Sequence, residues 1–225
     1  MINLLNEKPL HAALKAWYAR PDDLIEASVD GYLVDIVRGT LLIEVQTRNF
    51  SAIKRKLAKL LERHRVRLVY PIARDKWIVR VAQDGVTHVG RRRSPKSGTV
   101  YDLFRELLRI PHLIAHPNFS MEVLIIQEEE VRSQDTRHRA WRRRGWVTKE
   151  RRLLDVVDRV SFDSVDDVAK LLPESLADPF STADIAREAG IPRYLAQEMA
   201  YCLRAMDAIA VTGKKRNAIL YTRVL

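Results

Sequence analysis

Apolar positions along the first eighty residues switch between helical and alternating spacing. Leu10, Ala13, Leu14 and Trp17 make one stripe of a predicted helix that has Asn6 as N-cap, Glu7 and Pro9 in its first turn, and an end near Arg20-Pro21. Leu24 to Val29, Tyr32 to Val37 and Leu41 to Thr47 are short aliphatic and β-branched runs. They are separated by Asp30-Gly31 and Arg38-Gly39-Thr40, so a three-stranded meander is expected. Phe50, Ile53, Leu57, Leu60 and Leu61 return to helical spacing over 50–64, with Asn49 or Ser51 as cap. Arg65 to Ile72 and Trp77 to Ala82 read as strands, the first joining the sheet in parallel because a helical crossover precedes it. Arg91 to Gly98 reads as a basic loop, Val100 to Arg109 as a helix capped by Thr99 and stopped by Pro111, and Met121 to Gln127 as a strand. The Glu128-Glu129-Glu130 run that closes this strand is expected to be solvated. Leu153 to Val160, a strand or short helix, and a helix over Val165 to Leu172 bridge to the last segment.

The first hairpin carries an acid inside each strand. With period-2 alternation, Leu33, Asp35 and Val37 share one face, and Leu42, Glu44 and Gln46 share another. If the faces coincide, two carboxylates and an amide converge in an apolar hairpin. Two unpaired buried carboxylates are costly and repel each other. A hard divalent cation such as Mg²⁺ or Mn²⁺ would remove both problems, because it takes oxygen ligands from one or two carboxylates plus waters. The alternative is that both acids face water at a wet edge. Leu33 and Leu42 on the same faces weigh against it. Asp30 belongs to the tight turn, so Asp35 is the candidate ligand.

Asp35, then Glu44-Val45-Gln46, then an amphipathic helix, resembles the PD-(D/E)XK nuclease superfamily over the first third to half of the chain. The resemblance implies an α/β fold with a restriction-endonuclease-like mixed sheet flanked by helices. It also implies metal ligation by Asp35, Glu44 and the Val45 carbonyl. The family's lysine position falls on Gln46, which can orient water but supplies no charge; Lys54 or Arg48 is the candidate substitute. Glu7, the acid of the first helix, is the candidate for a further acid at the site, although an acid in a first turn also simply complements the helix dipole. His11, one turn further on, reads first as a surface histidine, with contact to phosphate as the alternative.

The chain has 225 residues, a net charge of +10 and one cysteine. The arginine-rich excess points to a polyanion: DNA, with RNA meeting the same charge argument. Arg91, Arg92 and Arg93 form one basic cluster. Arg142, Arg143 and Arg144, interleaved with Trp141 and Trp146, form a second. The lone Cys202 fits a reducing compartment, and no signal peptide or membrane span is visible, so a cytoplasmic protein without membrane contact is expected.

Ser181 caps a short helix over Thr182 to Ala189. Gly190-Ile191-Pro192 turns into a helix over Arg193 to Met206, and two strands follow around Gly213-Lys214-Lys215-Arg216-Asn217. This order resembles a small winged helix-turn-helix domain. In that layout Arg193, Tyr194 and Gln197 would meet bases, and Lys214, Lys215 and Arg216 in the wing would meet phosphates. The expected organisation is a nuclease-like domain over 1–130, a basic bridging segment over 131–174 and the winged helix over 175–225. The expected activity is Mg²⁺- or Mn²⁺-dependent endonucleolytic hydrolysis of DNA, with a homodimer supplying two sites for double-strand cleavage. The rivals are a non-catalytic nucleic-acid-binding protein with a decayed nuclease fold, and a transcriptional regulator working through the winged helix.

Overall fold

The computed structural model describes residues 8–82, 84–85, 87–134 and 145–224. Helix α1 (Pro9–Tyr18) begins on Pro9, whose missing N–H costs nothing at a first helical position, and Lys8 stands at its N-cap. The expected cap Asn6 and the candidate acid Glu7 lie outside the described residues. The meander follows as β1 (Leu24–Val29), β2 (Tyr32–Arg38) and β3 (Leu41–Val45). Asp30 and Gly31 have φ of 49° and 80°, the left-handed pair that lets a two-residue turn match the strand twist. A 3-10 turn (Phe50–Ala52) then leads into α2 (Lys54–Leu61).

The later strands are far longer than the sequence suggests. β4 (Arg65–Val81) is one unbroken strand of 17 residues where two were expected. It passes through Pro71 because β3 ends opposite Val69, which leaves that edge of β4 without a strand partner for the proline to disrupt. β5 (His88–Arg93) pairs antiparallel with the second half of β4, so Arg91, Arg92 and Arg93 stand in a strand rather than in a loop. α3 (Phe104–Leu107) follows a turn closed by a Thr99/Asp102 capping box. β6 (Phe119–Gln134) and β7 (Trp146–Phe162) complete a seven-stranded sheet of order β1-β2-β3-β4-β6-β7, with β5 also on β4. The β3–β4 and β4–β6 pairs are parallel and the others antiparallel. The bridging segment expected over 131–174 therefore supplies the end of β6, all of β7 and α4 (Val165–Ala169).

Helices cover both faces of the sheet's first half. α1 buries Leu10, Leu14 and Tyr18 against Ile36, Ile43, Val45, Val69, Leu124 and Ile126. α2 buries Leu57, Leu60 and Leu61 on the opposite face, against Leu42, Val66, Leu68 and Met121. The C-terminal elements are α5 (Thr182–Glu188), α6 (Arg193–Ala205) and the hairpin of β8 (Ile209–Lys215) and β9 (Ala218–Arg223). A Ser181/Asp184 capping box starts α5. Leu195, Met199 and Leu203 of α6 join the same core as Leu103, Phe104 and Leu107, so this unit is packed onto the sheet rather than tethered to it. Among the described residues no helix is long and apolar enough to cross a membrane.

The triple acid is not solvated. Glu128 is fully buried between Lys76, at 2.9 Å, and Arg151, at 2.8 Å. Glu130 accepts from Arg132 at 2.9 Å and from Thr148, and Lys76 lies 3.4 Å away. Burial alone would raise the Glu130 pKa, but these partners outweigh it and hold the carboxyl down at about 2. Glu129 points to the other face and pairs with Arg91 at 2.7 Å.

Candidate functional site

β2 and β3 pair through Arg38–Leu41, Val37–Leu42 and Ile36–Ile43, and there the ladder stops. The next opposed residues in this register are Asp35 and Glu44. Val45 N–H donates to Asp35 Oδ2 at 2.9 Å, so a side chain takes a main-chain donor where the ladder has ended. His11 Nε2, reaching over from α1, lies 3.3 Å from the same oxygen. Glu44 is only 4% exposed, and its Oε1 lies 2.5 Å from Lys56 Nζ of α2. Lys56 also donates to the Leu33 carbonyl at 2.5 Å, which ties α2 to β2 across the opening.

The two carboxyls are driven apart in acidity. Burial works against ionised Asp35, but His11, the Val45 N–H and Lys56 outweigh it and hold its pKa below the ordinary carboxylate range. Burial pushes Glu44 up to about 7 against the pull of Lys56, and the Asp35 charge adds to the rise. Lys56 Nζ is the charged partner of Glu44 Oε1. Two neighbouring carboxylates, one of them buried, are a donor set that fits a hard divalent cation. Among the described residues no three His, Cys, Asp or Glu side chains form a metal-holding group.

The structure brings Asp35 and Glu44 together and leaves two other candidates outside. Lys54, the first residue of α2, is exposed; Lys56, two positions on, is the one that reaches Glu44. Gln46 lies past the end of β3, and its amide donates to the carbonyls of Arg48 and Asn49 at 2.6 and 3.1 Å, so it closes the turn. His11, read from sequence as a surface residue, is at the site. Its one visible signal is position: it sits one turn before Lys15, which itself crosses from α1 to Glu26 of β1 at 2.5 Å.

The basic candidates separate by surroundings. Arg91 pairs with Glu129 and lies over the Trp77 ring at 5.1 Å, and Arg93 pairs with Asp75; Arg92 is exposed. Arg142, Arg143 and Arg144 lie outside the described residues. On α6, Arg193 and Gln197 are exposed, while Tyr194 is held by Arg105 of α3 through its hydroxyl and a 5.1 Å cation–ring contact. Lys214, Lys215 and Arg216 are exposed around the β8–β9 turn.

Comparison with known proteins gives a family. An uncharacterized protein of Treponema pallidum (strain Nichols) is 31% identical over 188 residues, covering 83% of this chain and 74% of that protein. No solved structure matches. A family model described as "Domain of unknown function (DUF8091)" matches residues 8–163, from the start of α1 to the end of β7. The chain spans the candidate site with that match and belongs to the DUF8091 family.

Proposed function

We propose that the chain is a divalent-cation-dependent nuclease whose sheet unit is a restriction-endonuclease-like, PD-(D/E)XK-type catalytic domain. The observation that carries this reading is the meeting of Asp35, Glu44 and Lys56 at the end of β3. Mg²⁺ or Mn²⁺ held by Asp35, Glu44 and the Val45 carbonyl would polarise a phosphodiester and acidify an attacking water. The Lys56 ammonium would set a positive charge where a phosphate gains negative charge, the task Gln46 cannot perform. His11 and the Val45 N–H aim the Asp35 carboxylate and keep it ionised. The helix–turn–helix–hairpin order of α5, α6, β8 and β9 supports a winged helix that presents Arg193 and Gln197, with Lys214, Lys215 and Arg216 in the wing. The nuclease acts on DNA, and a homodimer would place two sites on a duplex.

The test is cleavage of labelled single-stranded, duplex, flap and junction DNA in Mg²⁺, Mn²⁺ or EDTA, with binding followed in parallel. Cutting in metal that EDTA stops, and that Asp35→Ala and Glu44→Ala each abolish without loss of binding, is the expected result. Binding by the wild type with no cutting in either metal would instead assign a non-catalytic nucleic-acid reader, the reading that the turned-away Gln46 favours.

A further inference from the structure

Strand register divides the basic surface of the sheet into two unlike faces. Beyond Asp75, strands β4, β6 and β7 run on past the helices as an arm, and β5 joins them there. On the face continuous with α1, Lys76, Arg80, Arg92, Arg132 and Arg151 share one side with Glu128 and Glu130. Those two carboxylates are buried beneath their partners, so five cations stand over two acids. On the opposite face Arg91, Arg93 and Arg152 are matched by Glu129, Asp75 and Glu150 in ion pairs. The arginines singled out as one run in the sequence therefore differ. Arg91 and Arg93 are neutralised, whereas Arg92 makes no ion pair among the described residues.

The α1-side face also sets two arginines side by side, one of which, Arg132, is paired with Glu130. Arg80 and Arg132 are direct register neighbours, and like charges side by side on a sheet repel. Gly90 flanks Arg80 on the other side and leaves the row open. Arg80 makes no ion pair among the described residues; its guanidinium lies over the Trp146 ring at 4.7 Å, which fixes it above the strands. Eight residues of β4 separate Val69, opposite the end of β3, from Trp77, opposite Arg93. Lys76, the first cation of this face, lies seven positions beyond Val69, so at about 3.3 Å per residue the row starts roughly 23 Å along the strand from the candidate site, a distance a few nucleotides can span.

We infer that the α1-side face of the arm, built on Lys76, Arg80, Arg92, Arg132, Arg151 and Trp146, is a platform for single-stranded nucleic acid. A row of cations with an aromatic ring follows a phosphate backbone without reading sequence. Among its described residues this four-stranded face carries no helix to enter a duplex groove. The inference rests on the nucleic-acid reading above and assigns it a second, separate surface.

The test measures fluorescence anisotropy of labelled single-stranded DNA, single-stranded RNA, blunt duplex DNA and polyglutamate across a salt series. The full chain is compared with Arg80→Glu/Arg92→Glu and with Arg91→Gln/Arg93→Gln, each variant first checked for its wild-type melting transition. The first pair is expected to weaken single-strand binding about 10-fold or more and to flatten the salt slope by about 1.4, the loss of two phosphate contacts. The second pair is expected to change binding less than about two-fold. Equal loss from both pairs, no loss from the first, or no single-strand binding by the wild type would overturn the platform. Polyglutamate binding with the same sensitivity would overturn it in favour of an acidic protein surface. A wild type that binds single strands through this face but never cuts them retains the platform and removes the nuclease; cutting that is indifferent to Arg80 and Arg92 does the reverse.

Discussion

Lys56→Met is expected to slow metal-dependent DNA cleavage about 10²–10³-fold, the scale for losing one preorganised charge at a developing phosphate charge. Lys54→Met is expected to leave the rate within about two-fold of wild type, because Lys54 is exposed and Lys56 is the lysine paired with Glu44. Lys56 is fixed at two points, the Glu44 carboxylate and the Leu33 carbonyl, so its ammonium is positioned before substrate arrives. Single-turnover rates at saturating Mg²⁺ separate a lost charge from lost metal affinity. A slow Lys56→Arg variant that recovers part of the rate would tie the effect to charge. Equal rates for Lys56→Met and wild type would remove the lysine from the mechanism.

Wild-type stability is expected to fall by roughly 3 kcal/mol as pH rises from 4.5 to about 7 without divalent metal, and Glu44→Gln is expected to abolish that slope. The sign follows from proton counts. Folded Glu44 keeps its proton up to about 7, while the unfolded side chain releases it near 4.5. Between those values the native state binds more protons, so its advantage is complete at low pH and is lost as pH rises through the folded value. Asp35 acts in the opposite sense and in a lower window. Its depressed pKa gives stability that is present above its ordinary value of 3.8 and lost as pH falls below it. Urea midpoints measured from about pH 2 to 8 resolve the two. Added Mg²⁺ is expected to flatten the Glu44 limb, because a cation favours the ionised carboxylate. A Glu44→Gln protein with the wild-type slope would place the titration elsewhere.

Much of the site was legible because strands alternate with a period of two. Asp35 and Glu44 are set on matching faces by a turn whose residues announce it, and the register places them opposite one another. The sequence points to Lys54, whereas the lysine beside Glu44 is Lys56, and α2 does not start at Phe50. A 3-10 turn over Phe50–Ala52 intervenes and resets the helical phase, and a 3-10 segment leaves no distinct mark in the hydrophobic pattern. Gln46 looked like a site residue because alternation was extended past Val45, where the strand has already ended. The arm was hidden for a different reason. Its strands are charged on both faces, so Arg91 to Arg93 and Glu128 to Glu130 read as loop and solvated tail. In the folded chain each acid run satisfies a basic strand beside it, and such pairing across distant segments has no local signature.

Cys202 gives the packing of the C-terminal unit a clock. It is the chain's single cysteine, fully buried on α6, with Sγ 3.9 Å from the Phe104 carbonyl of the sheet unit. Burial and, after it, Glu198 push its thiol up to about 12, so almost none of it is thiolate at neutral pH even if a reagent could enter. An alkylating reagent therefore reports the opening of α6 from the sheet unit: labelling follows the open population where reclosing is fast, and the opening rate itself where the chemistry outpaces reclosing.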